Sequence, residues 1–322
     1  MKEELISVLM CAYNEPMEYI CQAVKSITEQ TYRNIEFIII IDHPDRRDIV
    51  SYLDGLADER IRYHINEKNM GLIASLNKGL QLCSGKLIAR MDADDIAFPD
   101  RLERQYEYTC RHDVDILGGQ TVNIDETGKK YGNIISPVCD QYIKKYIGLG
   151  GGLPHPTWFV KQSVYRELGG YRNIKSIEDY DFLVRGVLRG YQFGCLNEPC
   201  LYYRKNTKGI SQNNKGRQRV VKDILRRQYK QNRCLPLEEI QSTIESRKRE
   251  IQAATRYYRA TRSVRIALEK CSAKDISVKD IVCIVSSKTL YLDFVNMIRV
   301  KMAFSLEKIF IFTNAFTKKY DE

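Results

Sequence analysis

The apolar residues of the first part of the chain come in short, unbroken runs rich in Ile, Val and Leu, the mark of strands buried on both faces of a sheet. The first is Leu5 to Ala12, ended by Tyr13-Asn14-Glu15-Pro16, and the second is Ile35 to Ile41. Between them Ile20, Ala23, Val24 and Ile27 recur at helical spacing within Met17 to Gln30. That order predicts a strand–helix–strand unit with a right-handed crossover in a parallel sheet. Arg60 to Ile65 and Leu87 to Met91 read as further strands, joined by a helix over Leu72 to Cys83 that Ser84-Gly85 ends.

Beyond Met91 the pattern is less regular. A helix over Pro99 to Arg111, a strand over Asp115 to Gly119 and a turn over Asp125 to Gly132 come first. A short helix over Gln162 to Leu168, a helix over Asp179 to Arg189 and a strand near Gln192 to Leu196 follow, so the sheet is expected to become mixed. Gly148 and Gly150 to Gly152 cluster in what reads as a mobile, functional loop. From Lys215 the chain reads as helical and basic, turning amphipathic over Val278 to Lys319. The predicted organisation is an α/β domain over residues 1–214 and a basic, mostly helical C-terminal region over residues 215–322.

A chain of 322 residues can hold one domain and an appendage, and 43% hydrophobic with 29% charged residues excludes disorder and fibrous repeats. The charge divides unevenly. Residues 215–322 hold 24 Lys and Arg against 12 Asp and Glu, net +12, while the residues before them hold 27 against 29, net −2. This asymmetry directs the basic region to an anionic partner, a membrane surface or a nucleic acid. The ten cysteines stand singly, Cys11, Cys83, Cys139 and Cys234 among them, with no paired spacing, which argues against zinc and for free thiols. The opening MKEELISVLM places acidic residues before the first apolar run, unlike a secretory signal, and no apolar run reaches the ~20 residues of a membrane span. The expectation is a cytoplasmic protein that meets a membrane from one side.

The strongest chemical signal is Arg90-Met91-Asp92-Ala93-Asp94-Asp95, three carboxylates directly after a predicted buried strand. Repulsion makes that grouping costly without a cation, and alternating aspartates at a strand's carboxyl end suit Mg2+ or Mn2+ shared with substrate phosphates. The plain alternative is an acidic loop capping the helix near Pro99. Other motifs stand in order around it: Ser7 to Asn14, Ile38 to Asp42, Asn69-Met70-Gly71 with Asn77-Lys78-Gly79, Pro99-Asp100-Arg101-Leu102, and Gly169-Gly170-Tyr171 leading to Glu178-Asp179-Tyr180-Asp181.

Over residues 5–211 this series closely resembles the family 2 glycosyltransferases, bacterial enzymes of O-antigen, capsule, lipopolysaccharide and exopolysaccharide synthesis among them. The resemblance implies a GT-A fold, a mixed, mostly parallel sheet flanked by helices, and inverting transfer of one sugar from a UDP-sugar to a saccharide acceptor. It implies that Cys11, Ala12, Tyr13, Asp42, Asn69, Lys78, Arg90 and Asp92 bind the donor, Asp42 at the base, and that Asp94 and Asp92 hold the metal. Asp95, His155 and Arg204 are implied at the acceptor or diphosphate, Asp179 as general base, and Glu178 as the group that orients it. The chain departs from the family pattern at Ile41-Asp42-His43-Pro44-Asp45, where two aspartates and then a Gly-Ser turn are usual and Asp42 matches the second, and at Asn206, where a histidine is common.

Each residue also has an ordinary structural reading. Asp42 could simply start a turn, Arg90 and Arg101 could be solvated arginines, Glu178 and Asp179 could cap a helix, and His155 could be a satisfied structural side chain. In the basic region, Arg256, Arg259 and Arg262 at helical spacing, followed by Phe294, Met297, Ile298, Phe304, Ile309 and Phe312, suit an anionic bilayer carrying a polyprenyl-diphosphate-linked acceptor. The alternative is a helical subdomain packed on the core. Two other activities compete: a nucleotidyltransferase of sugar activation, which would want a glycine-rich phosphate loop that Ala12 to Pro16 lacks, and a nucleic-acid-binding protein. No nucleic acid is expected as a partner, because the body is net −2 and shows no recognisable nucleic-acid module.

Overall fold

The computed structural model describes residues 4–205, 214–269, 278–285 and 287. These form two compact units, one of residues 1–144 with 152–206 and one of residues 145–151 with 207–322. The first unit is built on a nine-stranded mixed sheet in the order β3-β2-β1-β4-β8-β6-β9-β5, with β7 paired to β6. Its parallel half consists of β1 (Ile6–Ala12), β2 (Ile35–Ile41), β3 (Ile61–Ile65) and β4 (Leu87–Asp92). These are four of the predicted apolar runs, and the first two are buried almost throughout. Helices α1 (Met17–Thr28), α2 (Arg47–Leu56) and α3 (Leu72–Leu82) connect them. The fold is α/β, as expected.

The other half turns the sheet mixed. It holds β5 (Ile96–Ala97), β6 (Ile116–Ile124), β7 (Lys130–Ile134), β8 (Phe159–Lys161) and β9 (Phe193–Arg204), with α4 (Arg101–His112), α5 (Asp140–Gly148), α6 (Gln162–Leu168) and α7 (Glu178–Leu188). Strand β8 runs antiparallel to both β4 and β6, whereas β6 and β9 are parallel. The strand predicted to end near Leu196 continues to Arg204. Part of the predicted turn at 125–132 is strand β7.

The site is positioned by the order of the parallel strands. From β1 the chain builds outward to β2 and β3, then returns to place β4 on the other side of β1, in register from Ile6 against Leu87 to Cys11 against Asp92. Such a reversal opens a crevice beyond the carboxyl ends of the two strands. Gly85 allows β4 to come that close: a Cβ there would lie 2.6 Å from the Leu5 carbonyl oxygen and 2.7 Å from the Ser7 nitrogen. Because those atoms are backbone and cannot rotate away, Gly85→Ala is expected to destabilise the protein by about 2 kcal/mol or more, read from chemical denaturation.

The second unit is described by itself. It comprises α8 (Lys215–Gln231), α9 (Leu237–Ser246), α10 (Lys248–Glu269) and α11 (Val278–Val285). Helix α8 buries Val220, Val221, Ile224 and Leu225, and Gly216 lets it approach Thr255 of α10, where a Cβ would sit 2.4 Å from the Thr255 nitrogen. Arg256, Arg259 and Arg262 lie exposed on α10. The glycine stretch at 148–151 is packed rather than loose. A Cβ on Gly148 would meet the Tyr229 ring at 2.4 Å, and Lys222 Nζ donates to the Gly150 carbonyl at 3.2 Å. No helix among the described residues is long and apolar enough to cross a membrane. Asn206, the amphipathic stretch beyond Val285 and Phe294, Met297, Ile298, Phe304, Ile309 and Phe312 lie outside the described residues.

Candidate active site

The carboxyl ends of β1, β2 and β4 bring the first predicted residues together. Cys11 and Ala12 finish β1 with Tyr13 directly after them, Asp42 follows β2, and Asp92 ends β4. Burial drives the Cys11 thiol far up, so it is a neutral wall of the crevice. Tyr13 is 41% exposed, and its ring lies 5.5 Å from that of His43, the residue standing in the altered turn. Asp42 is only 4% exposed. Its Oδ1 accepts from Asn66 Nδ2 at 2.7 Å and Met70 N at 2.8 Å, and its Oδ2 accepts from Gly71 N at 2.8 Å. The carboxylate therefore ties down the 66–71 loop, which the isolated-turn reading missed, and Oδ2 retains lone-pair capacity. Asn69 Oδ1 also accepts from Gly71 N, at 3.0 Å, and Lys78 on α3 is half-buried.

The aspartate cluster does not cap α4. Strand β5 separates the two, and α4 starts behind Asp100 with no side-chain cap. Asp92, Asp94 and Asp95 instead each offer a carboxylate oxygen, all within 4.8 Å of one another. Burial and then the Asp92 and Glu15 charges push Asp94 up to about 7. Burial, Asp94 and Asp92 push Asp95 well above the carboxylate range. Asp95 Oδ2 is buried without a hydrogen-bond partner. An all-oxygen set of mutually repelling carboxylates with an orphaned oxygen fits a hard divalent cation, which removes the repulsion and supplies the missing contact.

The loop carrying these aspartates is braced by Arg204, and here the structure differs from the phosphate-facing placement expected of that residue. Its backbone N donates to Asp95 Oδ1 at 2.7 Å and its Nε to the Asp94 carbonyl at 2.8 Å. Nη1 reaches the Asp125 carbonyl at 3.2 Å, Nη2 reaches Gln22 Oε1 at 2.6 Å, and the guanidinium lies over the Tyr19 ring. A guanidinium so occupied holds the cluster in shape and is not free for a phosphate. Arg101 is likewise fully buried, with Nη2 on the Arg90 carbonyl at 2.7 Å and Nε on Gln105 Oε1 at 3.0 Å, so it stiffens β4. Arg204→Met is expected to lower stability by about 3 kcal/mol, because it strands the Asp94, Asp125 and Glu126 carbonyls and Gln22 Oε1, with a matching drop in melting temperature.

Arg90 is a buried cation paired directly with the cluster. It is 3% exposed and pairs with Asp92. His155 begins a 3-10 turn (His155–Thr157) and packs between Trp158 and Tyr171, its Nε2 2.8 Å from the Tyr171 hydroxyl. Burial and Arg90 hold His155 well below the usual histidine range, so it is neutral. The acidic pair opens α7. Asp179 is half-buried and its Oδ1 accepts from Tyr180 N at 2.7 Å, while Ile177, at the cap position, supplies no side-chain bond. Asp181, next on that helix, is consumed by Arg172 and Arg185.

Glu178 is 7% exposed, and burial followed by the Asp179 charge pushes it up to about 7. The folded protein therefore holds this proton more tightly than the unfolded chain, and the carboxyl's share of stability is lost as pH rises from about 4.5 to about 7. Glu178→Gln is expected to gain about 1 to 3 kcal/mol over the wild type at pH 8 and little at pH 4.5, read from melts at the two pH values.

Two groups beside the cluster were not singled out in the sequence. Glu15 lies within the electrostatic reach of the cluster: its Oε2 accepts from Tyr13 N at 2.7 Å, and burial, with a contribution from Asp92, raises its pKa. Tyr203 on β9 has its hydroxyl pushed far up by burial and by Asp95, Asp92 and Asp94. Glu15 had a readable signal, since an acid just past β1 must lie near the end of the adjacent parallel β4. Tyr203 had none, because β9 reaches the cluster only through long-range pairing.

The geometry can be set beside known proteins. The profile of glycosyl transferase family 2 matches residues 7–169. An uncharacterised glycosyltransferase of Methanocaldococcus jannaschii is 36% identical over 212 residues, 63% of this chain and 72% of that protein. The O-antigen biosynthesis glycosyltransferase WbnJ of Escherichia coli is 30% identical over 208 residues, 64% of this chain and 81% of that protein. The crystal structure of Staphylococcus aureus TarS residues 1–349 in complex with UDP shares the fold at a TM-score of 0.56 and 16% identity, over 73% of this chain and 68% of TarS. The crevice at the β1/β4 reversal, the aspartates beyond it and the profile match agree: this chain belongs to glycosyltransferase family 2 and carries its GT-A fold.

Proposed function

We infer that the protein moves one sugar from a UDP-sugar to a saccharide acceptor by a single inverting displacement, in the synthesis of a surface polysaccharide. The observation that carries this reading is the aspartate cluster, three carboxylates within 4.8 Å at the crevice beyond β1 and β4. Asp94 and Asp92 would hold Mn2+ or Mg2+, with Asp95 beside them. When bound, that ion neutralises the charge developing on the nucleoside diphosphate as it leaves. Tyr13, Ala12, Cys11 and the Asp42-anchored loop with Asn69 line the nucleoside side, and Tyr13 with His43 offers a ring face to a base. Lys78 supplies a positive charge toward the diphosphate.

Asp179 accepts the proton of the acceptor hydroxyl as its oxygen attacks the anomeric carbon and the bond to the diphosphate breaks on the opposite side. Glu178 orients the reacting groups. The uridine donor is supported by the UDP bound to TarS, a protein of the same fold, and the polysaccharide setting by WbnJ. The acceptor is taken to be linked to polyprenyl diphosphate and met at the inner face of the plasma membrane. The exposed arginines of α10 favour an anionic surface there, each worth ~1 kcal/mol when close to it.

The test is transfer from a panel of α-linked UDP-sugars to a polyprenyl-diphosphate saccharide with Mn2+, with the product linkage read by NMR. A β-linked product from one donor is expected. An α-linked product contradicts the single displacement, and transfer only from GDP- or dTDP-sugars contradicts the uridine reading.

A further inference from the structure

Two oppositely charged groups inside the first unit have hydrogen-bonding capacity that nothing in the fold uses. Arg90 engages Asp92 through Nη2, while its Nε and Nη1 are buried without an acceptor. Glu178 Oε2 is buried without a donor. An unmet buried polar group costs ~1–3 kcal/mol, and more when it is charged. Two such groups of complementary sense are brought together through Trp158, whose carbonyl accepts from Arg90 N and whose ring lies 5.5 Å from that of Phe182, one turn along α7 from Glu178, and they mark the place of a ligand.

The surroundings fix both. The Arg90 backbone N donates to the Trp158 carbonyl at 2.8 Å, and Glu178 is held at the first turn of α7. Tyr171 lies within the field of both groups, and its hydroxyl is anchored by His155 at 2.8 Å and Tyr165 at 3.2 Å. The chemistry of the missing ligand follows from the pair. A phosphate or carboxylate would satisfy Arg90 but repel Glu178, and an ammonium would do the reverse. A hydroxyl both accepts and donates, so it serves both at once.

We propose that Arg90 and Glu178 form a subsite for one hydroxyl of the donor's sugar, with the guanidinium donating to the hydroxyl oxygen and the hydroxyl donating to Glu178 Oε2. This rests on the nucleotide-sugar reading above. The donor's sugar is chosen over the acceptor's by depth and connection. Arg90 is paired with Asp92, a member of the cluster that would hold the diphosphate, so the sugar attached to that diphosphate is the one it meets. The acceptor approaches from the more open side, where Asp179 is the less buried member of the acidic pair. The subsite thereby decides which hydroxyl, and in which configuration, the enzyme requires on the sugar it transfers.

The experiment measures Kd in Mn2+ for UDP, for the UDP-sugar that binds tightest, and for its monodeoxy analogues. The proteins are the wild type, Glu178→Leu, Glu178→Gln and Arg90→Lys. In the wild type one deoxy analogue is expected to bind at least tenfold more weakly than its parent, since a site built around a hydroxyl discriminates against its loss. In Glu178→Leu that ratio should fall to about one while UDP affinity stays within about threefold, and Glu178→Gln should restore part of the ratio because its amide oxygen still accepts. Arg90→Lys should reduce the ratio as well. The proposal is overturned if no deoxy position matters in the wild type, if the ratio survives in Glu178→Leu, or if the variants change only the KM of the acceptor. Failure of UDP and every UDP-sugar to bind the wild type would instead remove the nucleotide-sugar reading, and the subsite with it.

Discussion

Asp94→Asn is expected to lower sugar transfer by about a hundred- to a thousandfold, the range seen when one electrostatic support of a developing negative charge is removed. The substitution keeps the shape of the side chain and deletes its charge. Asp94 is held near 7 by burial and by Asp92 and Glu15, so the charge is a burden on the metal-free fold. The same variant should therefore melt no lower than the wild type at pH 8, and the wild type alone should gain stability steeply on adding Mn2+. Loss of activity with retained or higher stability separates a functional carboxylate from one that merely holds the loop. A variant that melts lower and loses activity in proportion would assign Asp94 to the scaffold beside Arg204.

Asp179→Asn is expected to cut kcat by about a hundred- to ten-thousandfold with little change in the donor's Kd, as befits a proton acceptor that acts only while the acceptor oxygen attacks. The fold gives this variant a fair trial. Asp179 Oδ1 accepts from Tyr180 N at 2.7 Å, and an Asn oxygen accepts the same bond, so the start of α7 is preserved. The neighbouring Asp181 would not give so clean an experiment, because it is fully buried between Arg172 and Arg185 and its loss takes the shared carboxylate from both guanidinium groups. Steady-state rates with saturating donor and varied acceptor provide the check.

The parallel half of the fold was legible because burial on both faces leaves no ambiguity: Ile35–Ile41 is apolar at every position but one. The missed strands β5 and β8 are two and three residues long, too short to carry a period, and exist through pairing with β9, β4 and β6. Helix α2 buries only Ile49 and Leu53 within a polar stretch, so its apolar signal is thin. Strand β9 was cut short at Leu196 because Asn197-Glu198-Pro199 reads as a turn, whereas the ladder to β6 absorbs it as an irregularity.

The candidate site divides along the same line. Asp92, Asp94 and Asp95 announce themselves because their chemistry is local in sequence. The task of Arg204 is not local: its partners come from Gln22, Asp94 and Asp125, and only the folded chain brings them to one guanidinium. Asp42 is intermediate. Its position after β2 was readable, but its grip on Met70 and Gly71 depends on how the following loop returns.

The central claim, that this crevice holds a nucleotide-sugar through a divalent ion on the aspartates, is tested most directly by calorimetry of UDP-, GDP- and dTDP-sugars with and without Mn2+, on the wild type and Asp94→Asn. The account predicts that a UDP-sugar binds the wild type in Mn2+ and that binding weakens at least tenfold when Mn2+ is removed or Asp94 is replaced. Binding that is equally tight without metal and in Asp94→Asn, or no binding of any nucleotide-sugar in any condition, contradicts it.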